Sequence, residues 1–454
     1  MIRTALLVFL LAGGALAQAA DKAWVFTNVN VLTMDSETVL EDKHVFVREG
    51  RIERMIDAAA VSGQALEGYR VVSGQGAYLM PGLAEMHAHI PGHSQQDFAA
   101  DVLFMYIAHG VTTIRGMLGE PWHLELREAV ARGELPGPRI YTSGPSLNGN
   151  SVRSPEDGAR MVAEQAAAGY DFLKLHPGLS REAFDAIVAA ADVHGIEFSG
   201  HVSSAVGVPR ALAARQSAID HLDGYVDALV PRIPPEVSPG FFGINLVDMV
   251  DESRIPGLVR ATRQQGVWNV PTETIMINGL SPQPPEQLAA RPEMAYLPPE
   301  LVERWVAAKQ RFLGDPNYSP ERAERFLALR REITAQLHAE GVDLLLGSDS
   351  PQFFNAPGFS IVPELETLRA AGLSRFEALQ AGTVNVARFF GSDEFGRLAE
   401  GQVADLMLVS GNPLEDFEPL RRPTGVMVRG VWFDRASLDE GLERIRARQA
   451  EAAP

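Results

Sequence analysis

Apolar runs of strand length alternate with stretches of helical period through the middle of the chain. Their order predicts βα units around a parallel sheet. The opening strand run, Leu79–Ile90, is followed by a helix over 97–109 and the strand 111–116. A helix over 122–132 then leads to the strand 139–144, and a helix over 155–169 to the strand 170–176. Further on, helices over 180–194, 209–215, 255–265 and 321–340 precede or separate the strand runs 196–201, 217–221, 266–273 and 342–349. That makes eight strand candidates, enough to close a (β/α)8 TIM barrel with its active site at the C-terminal strand ends.

The two ends of the chain have a different texture. Short alternating runs at Trp24–Leu32 and Lys43–Arg48 are split by Glu49 and Gly50, and similar runs recur at 404–409 and 425–433. Neither set builds a core alone, so both are expected to join in one small β-sandwich. The predicted organisation is a leader over 1–20, the first part of the sandwich over 21–78 and the barrel over 79–395. The second part of the sandwich covers 396–440, and a C-terminal helix or tail covers 441–454. Proline-rich insertions at 226–253 and 274–300 fall on the barrel face that carries the strand ends, where they could gate a site.

The first twenty residues combine Arg3, an apolar stretch too short for a comfortable span and Ala-x-Ala cleavage options, the features of a secretory signal peptide. The mature protein is therefore expected to be secreted or periplasmic, with no stable membrane anchor once the leader is removed. A net charge of −18 with few basic clusters argues against nucleic acid and anionic membrane surfaces as partners. Its partner is expected to be a small-molecule substrate, with homo-oligomerisation left open. The chain has no cysteine, so metal ligands must come from His, Asp, Glu or Lys.

Such ligands stand at the strand ends. His87 and His89, two apart on the opening strand, point the same way and can grip one ion. Lys174, His201, His221 and Asp349 each close a later run. Four imidazoles and a carboxylate are too many for one catalytic zinc with an open position, and two metals are the natural solution. Two cations need a bridging anion, which an ammonium cannot be. A lysine held neutral by burial among cations can add carbon dioxide and become a carbamate able to bridge both ions. His176, two beyond Lys174, faces the same side and is a candidate substrate contact. His93, His109, His123, His194 and His338 read as surface or packing residues.

The motifs Pro81-Gly82-Leu83, Met86-His87-Ala88-His89, Asp171-Phe172-Leu173-Lys174-Leu175, Gly200-His201, Asp220-His221 and Gly347-Ser348-Asp349-Ser350-Pro351 together resemble the amidohydrolase superfamily. With the tail from Ala381 to Asp405 they span the mature chain and match its binuclear, carboxylated-lysine subtype, in a branch of imidazolonepropionase-like and Xaa-Pro dipeptidase-like enzymes. The resemblance implies that His87, His89 and Asp349 bind one metal, His201 and His221 the other, and carboxylated Lys174 spans them. Zinc is the first expectation, with manganese, cobalt or iron as alternatives. The implied nucleophile is a metal-bridged hydroxide, with Asp349 moving its proton to the leaving amine. The implied reaction is hydrolysis of an amide C–N bond in a dipeptide or similar small molecule, and Tyr225 and Arg153 are candidate donors to a substrate carboxylate.

One departure is Val362-Pro363-Glu364-Leu365, where many relatives place a histidine before the glutamate. A lactonase or phosphotriesterase could use the same site, and a catalytically inactive metal-binding protein is the rival from another class. A single-metal deaminase is disfavoured by Ser204 where such relatives carry a glutamate, and by Lys174 itself.

Overall fold

The computed structural model describes residues 23–60, 63–316 and 318–452, so the leader expected over 1–20 lies outside the described residues. Five strands open the fold: β1 (Trp24–Leu32), β2 (Val39–Arg48), β3 (Arg51–Asp57), β4 (Arg70–Ser73) and β5 (Tyr78–Pro81). Seven more are β6 (Leu83–Ala88), β7 (Val111–Gly116), β8 (Arg139–Thr142), β9 (Phe172–Leu175), β10 (Glu197–Gly200), β11 (Ala218–Asp220) and β12 (Trp268–Val270). The last three are β13 (Leu406–Val409), β14 (Gly425–Val428) and β15 (Val431–Asp434).

Both ends of the chain do meet, in a single sheet. Its strand order is β15-β14-β13-β5-β1-β2-β3, with β4 also on β1. The expected sandwich is thus one continuous hydrogen-bonded sheet. Bulges in β1 on either side of Val29 let its first half pair with β4 and its second with β5. Phe26, Val29, Val45, Leu79, Leu406 and Met427 form its core.

The apolar run that opens at Leu79 serves two bodies. Leu79 pairs with Leu408 in the terminal sheet, and Gly82 N–H still donates to Asp405. One residue later, Leu83 N–H donates to Gly110 of the barrel. The boundary between the two units therefore lies at Gly82, not before Leu79, because the backbone changes hydrogen-bond partners there. At the other end, residues 435–452 form one helix whose Leu438, Leu442 and Ile445 are buried. Of the helix or tail expected from 441, the structure has the helix, and it begins six residues earlier.

Strands β6 to β8 and β9 to β12 form two parallel sheets. Bridges Ser143 to Phe172 and Leu147 to Leu175 join them. The eighth run, 342–349, is extended but too irregular in its pairing to form a regular strand. It bridges Leu344 to Asn269 on one side and Ser350 to Ala88 on the other, and Met86 N–H donates to Leu346 at 2.8 Å. These contacts close the ring, so all eight C-terminal ends meet on one face. The intervening helices start as the sequence signals ask. Ser154 and Ser180 each accept the N–H three residues on, capping helices Pro155–Ala168 and Arg181–His194. Among the described residues, no helix is long and apolar enough to cross a membrane.

His109, just past the helix Gln96–Ala108, shows a packing histidine with a measurable consequence. It is buried against Phe359, its Nδ1 lies 2.8 Å from the Met105 carbonyl, and burial pushes its pKa down to about 4. The folded state thus binds fewer protons than the unfolded chain between about pH 4 and the ordinary histidine value near 6.5. Its contribution is present above pH 6.5 and is lost as pH falls through 4, a change of about 3 kcal/mol. Denaturant unfolding of His109→Gln should lose stability between pH 7 and pH 4 by about that much less than the parent. Equal losses in the two proteins would reject this account.

Candidate metal centre

All six predicted donors converge at the strand ends. His89 Nε2 lies 2.8 Å from Asp349 Oδ1, and His87 Nε2 lies 3.7 Å from the same oxygen and 3.5 Å from Lys174 Nζ. The His87 and His221 rings are 4.4 Å apart by centroid, and the His201 and His221 rings 4.8 Å. Ligand atoms of His87, His221 and Asp349 all fall within 4.8 Å of one another. The donors thus form one continuous cluster, with His221 at its middle.

Unmet polar atoms show what this cluster can hold. Asp349 Oδ1, His87 Nδ1 and Asp220 Oδ2 are buried without a hydrogen-bond partner, although His89 sits beside the first of them. Buried lone pairs facing one another without a shared proton are costly, and a cation removes that cost. Burial drives His87 and His221 well below the ordinary histidine range, so both are neutral imidazoles with lone pairs to give. The donor set fits divalent metal.

Lys174 is the most informative member. It is fully buried on β9, and its nearest carboxylate oxygen, Asp220 Oδ2, is 3.7 Å away. Burial pulls its pKa down to about 8, against the opposing pull of Asp220 and Asp349. Gly200 makes room for it. A Cβ there would sit 2.9 Å from Lys174 Cδ and 2.4 Å from the Leu175 carbonyl oxygen, and its φ of +123° is one that side chains rarely adopt.

Residues that the sequence did not single out orient the ligands. Asp223 Oδ2 lies 3.0 Å from His201 Nδ1, and Thr272 Oγ1 lies 2.7 Å from His221 Nδ1. Each partner leaves the ring's Nε2 to face a metal. His221, Thr272 and Asp349 all have φ between 50° and 63°, a strained left-handed conformation for such residues. Buried Arg330 holds the first two in place, donating to the carbonyls of His221 at 2.6 Å and Pro271 at 3.0 Å while pairing with Glu273. Glu364, from the segment that lacks the usual histidine, accepts from the N–H groups of Glu273 and Thr274, both at 2.8 Å. It thereby fixes the loop behind His221. Under the site, buried Arg115 pairs with Asp220 at 2.7 Å, and Glu85 accepts from the N–H groups of His87 and Ser348. Of these, Asp220 and Asp223 flank a ligand closely enough in sequence to have been suspected.

Two candidate substrate residues need restating. Tyr225 is not a substrate donor but a core residue. It is completely buried, and its hydroxyl is engaged by Thr262 at 2.9 Å and Asn269 at 3.2 Å. Arg153 is exposed on the loop after β8, its Nε donating to the Asn150 carbonyl. His176 does reach the site, stacked 4.9 Å from the His201 ring. The insertion after β11 folds back over the cluster, placing the Phe242 ring 5.8 Å from that of His201 and 5.1 Å from that of His221.

A family model described as the amidohydrolase family matches residues 78–433, the barrel together with the last strands of the terminal sheet. The chain belongs to the amidohydrolase family. This amidohydrolase is accordingly an enzyme, a hydrolase of carbon–nitrogen bonds. It is 24% identical to an ochratoxinase from Aspergillus niger over 397 aligned residues, covering 77% of this chain and 73% of the relative. Its fold is similar to that of a bottromycin amidohydrolase, with a TM-score of 0.71, 24% identity and coverage of 96% of this chain and 93% of the other. It also resembles a Xaa-Pro dipeptidase crystallised with methionine in its active site, with a TM-score of 0.66, 18% identity and coverage of 91% and 100%.

Proposed function

We propose that this amidohydrolase is a secreted or periplasmic enzyme that cleaves an amide bond in a dipeptide or N-acyl amino acid at a centre of two divalent cations, zinc foremost. The observation that carries the reading is a fully buried lysine among four histidines and an unpartnered aspartate oxygen. The ligands would be His87, His89, His201, His221, Asp349 and Lys174 as its carbamate. Two similar structures, of a bottromycin amidohydrolase and a Xaa-Pro dipeptidase, support the same substrate class.

Bound divalent cations supply an acidified water and polarise a carbonyl oxygen. The chain supplies the rest. Neutral Lys174 forms an N–C bond to carbon dioxide and loses one proton to solvent, which turns a buried neutral amine into an anion. The Asp349 carboxylate, buried in the cluster beside His89, accepts a proton from the attacking water and delivers it to the leaving nitrogen. Asp223 and Thr272 keep the His201 and His221 rings from turning. Phe242 covers one side of the cluster and limits its access to solvent.

Two measurements test this reading. Dialysis against a chelator should abolish turnover, and Zn²⁺, Mn²⁺ or Co²⁺ should restore it; activity that survives full metal removal would sink the metal centre. Across a panel of dipeptides, N-acyl amino acids and lactones, the amides should be the better substrates, and turnover of lactones alone rejects the assignment.

A further inference from the structure

Beside the metal cluster, on the side of His201, a cavity of about 650 Å³ opens between the loops that follow β9, β10 and β11. The ionisable groups in its wall are His201, Asp223 and Asp227. Asp223 is already committed, accepting from Val202 N–H at 3.1 Å and facing His201 Nδ1. Asp227, half-buried in the first turn of the short helix Tyr225–Leu229, has no cationic partner among the described residues. Burial, then the nearby Asp223, raises its pKa, as expected of an anion that lacks a counter-ion.

The opposite wall is aromatic. Phe241 is 38% exposed at the rim, a high value for so large an apolar side chain, and its ring packs edge-on against Phe242, which lies over His201. The backbone between the two walls is kept open. Phe242 and Gly243 have consecutive positive φ values of 51° and 86°, and a Cβ on Gly243 would lie 2.9 Å from Asp227 Oδ2. A carboxylate with no cationic partner among the described residues, an exposed aromatic face and a missing Cβ thus converge on one space next to a metal ligand.

We propose that this cavity is the subsite for a protonated amine on the substrate, with Asp227 as its anion and Phe241 as the ring beside it. The proposal rests on the hydrolase reading above and narrows it. The preferred substrate is a dipeptide-like amide with a free amino group on its acyl half. An ammonium gains from both walls, through a charge-assisted hydrogen bond to the carboxylate and through attraction to the ring face. A substrate carboxylate would instead meet two aspartates, and an N-acylated amine would bring no charge to offset the desolvation of Asp227.

The test compares matched pairs, each a dipeptide and its N-acetyl derivative, with the metal-loaded protein. The free amine should have the higher kcat/KM, and Asp227→Asn should lower it by about 10- to 100-fold, chiefly through KM, with the acetylated partner nearly unchanged. Phe241→Ala should move the same ratio in the same direction by less, which keeps the idea testable if Asp227→Asn folds poorly. Equal or better cleavage of the acetylated member, or an equal loss on both, overturns the subsite. The two readings fail separately. If no amide of either kind is cleaved, the hydrolase assignment is lost, but calorimetry with an uncleavable free-amine dipeptide isostere still reads the cavity. Weaker binding of the isostere in Asp227→Asn supports the subsite, and equal binding overturns it.

Discussion

Asp349→Asn should lower kcat by about 10²- to 10⁴-fold, the range associated with loss of a positioned acid or base. The physical basis is the position of the Asp349 carboxylate, buried in the cluster with Oδ1 2.8 Å from His89 Nε2. Asparagine keeps an oxygen that can touch a cation but cannot take and return a proton at neutral pH. Metal content should therefore fall less than activity does. Measuring both on one preparation separates the roles, because parallel losses would make Asp349 only a ligand. Full metal with activity within a few-fold of the parent would place the proton transfer elsewhere.

Lys174→Ala should reduce activity by more than about 100-fold, the upper end of what removing an outer partner of a metal ligand costs, because here the proposed bridge itself is removed. The Lys174 side chain is wholly enclosed, so its deletion leaves a space the size of a short carboxylic acid. Formate or acetate should then restore part of the activity and of the bound metal, whereas formamide, of similar shape but without charge, should not. Rescue by the neutral molecule as well would show that only filled volume matters. A native mass spectrum of the parent protein at neutral pH should show one added carbon dioxide, lost in Lys174→Ala.

These two residues were legible for the same reason. Each closes an apolar run, and parallel βα units bring every such end to one face once the barrel closes. His87 and His89 needed only the two-residue period of a strand. Tyr225 shows where that kind of reading stops. Its place just after a strand end suggested the site, yet its hydroxyl turns inward to Thr262 and Asn269, residues 37 and 44 positions away. Arg330 lies in the middle of a helix, where pattern marks it as ordinary amphipathic surface. In the fold it is buried and holds the His221 carbonyl, 109 positions away in the chain.

The run that opens at Leu79 teaches the same lesson for the fold. Its apolar period foretold extended backbone and did not reveal that Tyr78–Pro81 would pair with Leu406–Val409 while Leu83–Ala88 joined the barrel. By itself the sequence determined the order of strands and helices, the meeting of the two chain ends and the six donors at the strand tips, since the period of apolar positions is a local property. Only the tertiary structure decided which partner holds each imidazole, where one sheet hands over to the next and which carboxylate near the site meets no cation among the described residues. Those depend on distances between residues far apart in the chain, which exist only after the barrel has closed.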